Sequence, residues 1–176
     1  MSGGNTALIM GNPQNAEALC FEAIGLLREV DDQWSLAWGL NSLGHASLQL
    51  GKLEQARASF EECIAVARNI GNPGATISTL LGIAILATTR FQNQAHTKEP
   101  DPGLINAVRL LGAIPALNQS VHMVFWLGWW SEVHERAVLQ ARRVMDDATW
   151  EKTFAEGAAL TMQQAAAIAL QEVQSK

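Results

Sequence analysis

The stretch from Trp34 to Ile70, WSLAWGLNSLGHASLQLGKLEQARASFEECIAVARNI, decides the fold class. Ala37, Leu40, Leu43, Gly44 and Ser47 form one stripe, and Ala56, Phe60, Cys63, Ile64 and Ala67 form a second. Steps of three and four residues place such positions on one face of an α-helix. Between the stripes stands Gly51-Lys52, where glycine supplies the backbone freedom of a turn. Two helices joined by so short a turn fold back on each other. The spacing predicts one helix from about Trp34 to Leu50 and another from Leu53 to Ile70.

The same pattern extends outward in both directions. Asn12-Pro13 reads as an N-cap followed by proline at the first helical position. The helix it opens runs to about Val30, with Ala16, Cys20, Ala23, Ile24 and Leu27 along one stripe, and Asp31-Asp32 ends it. Downstream, Gly71-Asn72-Pro73 closes one helix and starts the next, Gly74 to Thr89, with Leu80, Ile83, Ala84 and Ala87 inward. From Phe91 to Gly103 the period stops, and Gln92, Asn93, Gln94, His96, Lys98 and Glu99 make a polar loop. Asp101-Pro102 repeats the cap signal for a helix to about Asn118, bent or ended early by Pro115. Ser131 to Met145 and Ala148 to Ala155 read as further helices. Thr161-x-x-Gln164 is a capping box for a last one, to about Val173. Nothing alternates with period two for long, so the fold is predicted all-α. The expected organisation is a flexible N-terminus at 1–12, helical repeats at 13–119 with a loop at 91–103, and closing helices at 120–176.

Composition narrows the function. The chain has 176 residues, 48% hydrophobic and 16% charged, enough apolar material for a core. Its net charge is -5, and its densest basic spot is Arg142-Arg143. A nucleic-acid surface needs a basic patch to neutralise phosphates, so no direct nucleic-acid binding is expected. The most apolar run, Val121 to Trp130, is ten residues, too short to span a bilayer as a helix. Met1 to Asn12 lacks a basic start and a long apolar run, so no secretory leader and a cytoplasmic location are expected.

A shift of 40 residues superposes the helices. Ala16 falls on Ala56, Cys20 on Phe60, Glu22 on Glu62, Ile24 on Ile64, Arg28 on Arg68, Leu40 on Leu80 and Leu43 on Ile83. A unit of this size cannot bury its apolar face alone and must stack on its neighbours. Leu40, Leu43, Gly44, Ser47, Ala56, Phe60 and Cys63 stand where the tetratricopeptide motif has Trp, Leu, Gly, Tyr, Ala, Phe and Ala. The chain thus resembles the tetratricopeptide-repeat family, with Leu and Ser at the Trp and Tyr positions and a longer period than the usual value of about 34. Its longer repeats resemble those in the C-terminal arms of large bacterial transcriptional regulators and signalling ATPases. AVRLLGA at Ala107–Ala113 resembles the RLLGAAEALRE helix that closes such arms. ATWEKTFAEG at Ala148–Gly157 resembles their F-x-x-A-W-A-E-G segment, and Met162–Ala165 with the alanines after it resembles SLEEAVALAL. The resemblance covers Asn15 to Val173.

It implies antiparallel helix pairs stacked as a short right-handed superhelix, and a non-enzymatic module that binds a protein or peptide. Two departures stand out. Val121–Trp130 replaces a polar, proline-containing link, and the first repeat has only its second helix. The chain is therefore expected to be a fragment, or a degenerate small relative, of a longer regulator.

The residues carry no catalytic set. His134-Glu135 opens like H-E-x-x-H, but Val138 stands where the second zinc ligand belongs. His45, His96 and His122 show no ligand spacing with Cys20 and Cys63, which read as small core hydrophobes. No phosphate-binding glycine motif and no G-x-S-x-G is present, so no cofactor, metal or enzymatic activity is expected.

Two residue groups remain as binding candidates. The first helix of a repeat usually lines the groove of such an array, which nominates Trp34, Trp38, Asn41, His45, Ser78 and Thr79. The aromatic cluster Phe125, Trp126, Trp129 and Trp130 either caps the array or forms a partner or homodimer surface. Two other readings stand beside the interaction module. One is a small-molecule sensor anchored by Asn41 or His45, the other an oligomerisation arm built on Val121–Trp130.

Overall fold

The computed structural model describes Leu8 and residues 11–91, 101–121 and 129–174. Eight helices lie among the described residues: α1 Pro13–Glu29, α2 Gln33–Gln49, α3 Leu53–Asn69, α4 Pro73–Thr89, α5 Pro102–Ser120, α6 Trp129–Arg142, α7 Asp147–Ala158 and α8 Met162–Gln174. No strand occurs among the described residues, so the chain is all-α.

The first four helices are spaced by their turns. Every twentieth residue takes a left-handed backbone: Gly11 at φ 74°, Asp31 at 55°, Gly51 at 72° and Gly71 at 66°. Glycine adopts this region without a Cβ clash; Asp31 meets that clash. The helix before each of the last three turns closes in the same way. The amide of Asp32 donates to the Leu27 carbonyl (3.0 Å), that of Lys52 to Ser47 (2.9 Å) and that of Asn72 to Ala67 (2.8 Å). A bond of shorter sequence span, from the amide of the preceding residue to the carbonyl three residues back, accompanies each one and completes a Schellman ending. The next residue then caps the new helix. The side chains of Asn12, Asp32 and Asn72 accept from the amides of Asn15 (3.1 Å), Ser35 (3.0 Å) and Ala75 (3.0 Å). Lys52 makes no side-chain cap. Helices of 17 residues and turns of three thus recur with a period of 20.

The chain divides inside α4 into two compact units, Met1–Gly82 and Ile83–Lys176. In the first unit, ion pairs give the helix directions. Lys52 meets Glu17 at 2.6 Å, and Arg28 meets Glu62 at 2.7 Å. Contacts at both ends in the same order mean that α1 and α3 run parallel. Asn41 lies against Ser78 and Thr79, and Gly44 shares the Phe60 ring with Gly82, so α2 runs parallel to this part of α4. The fully buried Phe60 ring fills the space between Gly44 and Gly82, where a Cβ on either glycine would overlap it. On the α1 side, Cys20, Ile24, Leu36, Ala37, Leu40, Leu43, Cys63, Ala67 and Ala75 form one core cluster.

In the second unit, α5 packs on α6, α7 and α8. The α5–α7 crossing is backbone on backbone: a Cβ on Gly112 would strike the Phe154 carbonyl, and one on Gly157 would strike the Arg109 carbonyl. Asp101 and Asp146 cap α5 and α7, accepting from Gly103 (2.7 Å) and Thr149 (3.0 Å). Thr161 and Gln164 exchange bonds ahead of α8, the Thr161 amide donating to Gln164 (2.9 Å) and the Gln164 amide to Thr161 (3.3 Å). α5 continues through Pro115 to Ser120, and α6 spans Trp129–Arg142 where the sequence pattern placed Ser131–Met145. Residues 92–100 of the predicted loop lie outside the described residues.

Two stability outcomes follow. Asp31→Gly removes the left-handed strain and raises unfolding free energy by about 0.5–1 kcal/mol, net of glycine's entropy and of the 2.6 Å bond from Gln33. Gly82→Ala overfills a site where Phe60 is blocked on its other side by Gly44, and lowers it by roughly 1–3 kcal/mol. Urea titration followed by circular dichroism reads both.

Candidate functional site

The face of α2 turned toward α4 is polar, which an interior face tolerates only when its groups are paired. Asn41 supplies both a donor and an acceptor. Its Nδ2 donates to Thr79 Oγ1 (3.1 Å), and its Oδ1 accepts from Ser78 Oγ (2.9 Å). Thr79 Oγ1 in turn donates its proton back along α4 to the Ala75 carbonyl (2.7 Å). Since that hydroxyl has spent its proton, the short contact between Cys63 Sγ and Thr79 Oγ1 (3.0 Å) has the thiol as donor, shared with the Ala37 carbonyl (3.1 Å). One turn beyond Asn41, His45 Nε2 lies 3.4 Å from the Ser78 carbonyl, an arrangement that fits the Nε2–H tautomer of a neutral ring. The imidazole meets Phe60 edge to face with centroids 5.1 Å apart. Asn41, His45, Ser78, Thr79 and Cys63 are all buried.

Burial sets their electrostatics. It pulls His45 down to about 4, outweighing the opposing effect of the Ser78 carbonyl. It pushes the Cys63 thiol up to about 12 and the Cys20 thiol up to about 11. Both sulfurs are therefore protonated at neutral pH and poor nucleophiles.

The predicted groove residues thus fall into two sets. Asn41, His45, Ser78 and Thr79 hold one another inside the first unit. Trp34 and Trp38, one turn apart on α2, stand toward the surface: Trp34 is 55% exposed, and Trp38 is half-buried against the core cluster. Asp32 positions this end by capping α2, and the hydrogen bonds it accepts from Ser35 hold its carboxyl below the usual range. The sequence reading placed Cys63 only in the core and missed its link to the polar network. A thiol sixteen residues before a threonine carries no spacing signal that would have shown it.

Of the second candidate group, Phe125 and Trp126 lie outside the described residues. Trp129 and Trp130 meet edge to face at 4.7 Å, with Trp130 buried and Trp129 half-buried. His134 is buried on the same helix, and its Nε2 lies 2.9 Å from the Leu111 carbonyl. A depression of about 340 Å³ lies between α5 and α7 around Arg109, Lys152 and Glu156. Arg109 directs Nε (3.0 Å) and Nη2 (2.7 Å) onto one oxygen of Glu156, and that partner holds the Glu156 carboxyl below its ordinary range. Most of the local charge is thereby neutralised within the protein. Among the described residues, no three His, Cys, Asp or Glu side chains converge to hold a metal ion, and no helix is long and apolar enough to cross a membrane.

No family model, curated protein or solved structure matches the chain.

The His45 environment predicts an acid-sensitive fold. Its folded value of about 4 lies below the ordinary 6.5, so the unfolded chain binds the extra proton first as pH falls. The stability this group contributes is complete above about 6.5 and is lost as pH falls toward 4, by on the order of 3 kcal/mol. In urea titrations across this window, His45→Gln gives a visibly flatter pH dependence than the parent chain.

Proposed function

We propose that the chain is a non-enzymatic protein-interaction module: an arm of stacked helix pairs of the tetratricopeptide kind, similar to those of bacterial transcriptional and signalling regulators. It recognises a protein or peptide with the Trp34 end of α2. The observation that carries the reading is the exposed Trp34 indole, with Trp38 one turn on at the edge of the core. Tryptophan contributes large apolar area at little conformational cost and is enriched among residues that dominate binding energy. The parallel directions of α1 with α3 and of α2 with α4, and the repeated 20-residue turns, support the stacked-pair architecture.

The buried network gives Trp34 a rigid base. Asn41 ties α2 to α4 through two hydrogen bonds, and Cys63 ties α3 to both. A preorganised helix loses less entropy on binding than a mobile one. Because Asn41 Nδ2 and Oδ1 and His45 Nε2 are engaged by Ser78 and Thr79, these residues serve this reading as scaffold rather than as ligand anchors.

The test is quantitative affinity isolation from cells that express the chain, using the parent protein and Trp34→Ala side by side. Trp34 is exposed, so the substitution leaves the melting temperature essentially unchanged. Partner capture is expected to fall roughly thirtyfold, the loss of a contact worth about 2 kcal/mol. A partner recovered equally well by the variant overturns the assignment to Trp34. A small molecule released from the purified chain, with no protein partner, overturns the interaction-module reading.

A further inference from the structure

Thr76, Thr79, Thr88 and Thr89 each donate a hydroxyl proton to a carbonyl three or four residues back, at 2.6–2.9 Å. This bond is within easy reach of a threonine in a helix, and it keeps a buried hydroxyl paired. Thr153 of α7 departs from the pattern. Only 4% of it is exposed, yet its hydroxyl makes no hydrogen bond among the described residues. Nor is that hydroxyl sealed away, as the orphaned side-chain atoms of Gln55, Asn72 and Asn118 are. Thr153 lines the depression of about 340 Å³ between α5 and α7, and its hydroxyl opens there. Thr149, one turn earlier on the same wall, is engaged: its amide and hydroxyl both serve Asp146.

The rest of the lining is set by the helical period. Along α7, Ala148, Lys152 and Glu156 form one row, and Thr149 and Thr153 form the next. On the other wall α5 contributes Ile105 and Arg109. The crossing at Gly112 and Gly157 holds the two helices backbone on backbone, so backbone rather than side chains sets the spacing of the walls. Glu156 draws Arg109 Nε and Nη2 onto one oxygen, which leaves Nη1 without a partner among the described residues. The Lys152 ammonium is exposed and makes no ion pair among the described residues. Two cations and one carboxylate give the lining one net positive charge.

We propose that this depression binds a small aliphatic monocarboxylate. The carboxylate accepts from the Lys152 ammonium, from Arg109 Nη1 and from the Thr153 hydroxyl. The short apolar tail lies against Ile105 and Ala148. Charge selects the anion: a carboxylate matches one net positive charge, whereas a phosphate brings close to two negative charges and meets Glu156. Volume limits the tail, since about 340 Å³ stands near the lower end of small-molecule sites. The site lies within the second unit and uses neither Trp34 nor Trp38. It therefore goes beyond the interaction-module reading, and the two tests fail independently.

The probe is isovalerate, titrated at neutral pH into the intact, isotope-labelled chain and followed by amide chemical shifts. Saturable shifts concentrated on residues 105–109 and 148–156 are expected, with a Kd on the order of 1 mM for so small a ligand. Lys152→Gln, at an exposed position, weakens binding about tenfold. Thr153→Val weakens it about fivefold, and Thr153→Ser, which keeps the hydroxyl, binds like the parent. Because this hydroxyl is unpaired in the free chain, Thr153→Val leaves the melting temperature of the free chain undiminished, while shrinking the rise that the acid produces. A lowered melting temperature for Thr153→Val assigns the hydroxyl to the fold and overturns the proposal. So does the absence of saturable binding at roughly tenfold the expected Kd. Equal binding of isoamyl alcohol, which has the same tail without the charge, overturns it, as does tighter binding of inorganic phosphate. Binding that ignores both Lys152→Gln and Thr153→Val overturns it as well.

Discussion

The first unit depends on one aromatic ring. Phe60 of α3 reaches between α2 and α4 at the height of Gly44 and Gly82, and the ring fits only because neither helix carries a Cβ there. This contact fixes how closely α2 and α4 approach and how they are aligned along their axes. It also places the His45 imidazole against the ring edge. The hydrogen bonds between Asn41 and the Ser78–Thr79 pair fall into register one turn away. Were the wedge larger or the helices further apart, those bonds would stretch beyond useful length.

The second unit meets the same need differently. Where α5 crosses α7, glycines at 112 and 157 let each backbone rest on the carbonyl of the other, with no aromatic ring between them. The segments Ala107–Ala113 and Ala148–Gly157 touch here. Their glycines are the residues that make the contact. The Arg109–Glu156 pair lies beside it and neutralises both charges at the rim. Trp150 and Phe154 stack at 5.3 Å along α7.

A polar network inside a helical core costs desolvation, and its net stabilisation is modest even when every atom is paired. What such a network supplies is register, because a shift of one helix by one residue would leave Asn41 or Thr79 buried without a partner. Its position at the α2–α4 contact gives α2 one defined placement. The consequence reaches the surface through Trp38, which packs on the core cluster, and through Trp34 one turn away. A helix held in this way gives the Trp34 backbone one defined position.

The helices themselves were legible in the sequence, because their signals act within a few residues. Asn12-Pro13, Asp101-Pro102 and Thr161-x-x-Gln164 cap by local hydrogen bonds, and Gly51 and Gly71 end helices through the conformational freedom of their own backbone. The twenty-residue period was less visible than the forty-residue one. Asp31 takes the left-handed turn without being glycine, and Lys52 stands at a cap position without capping, so equivalent backbones carry unlike residues. The repeat reading nominated Trp34, Trp38, Asn41, His45, Ser78 and Thr79 as groove residues because they lie on first helices, yet could not tell which would be buried. That was decided by the tertiary structure. Burial depends on what lies opposite a residue, and what lies opposite Asn41 is Thr79, thirty-eight residues away in sequence and 3.1 Å away in space.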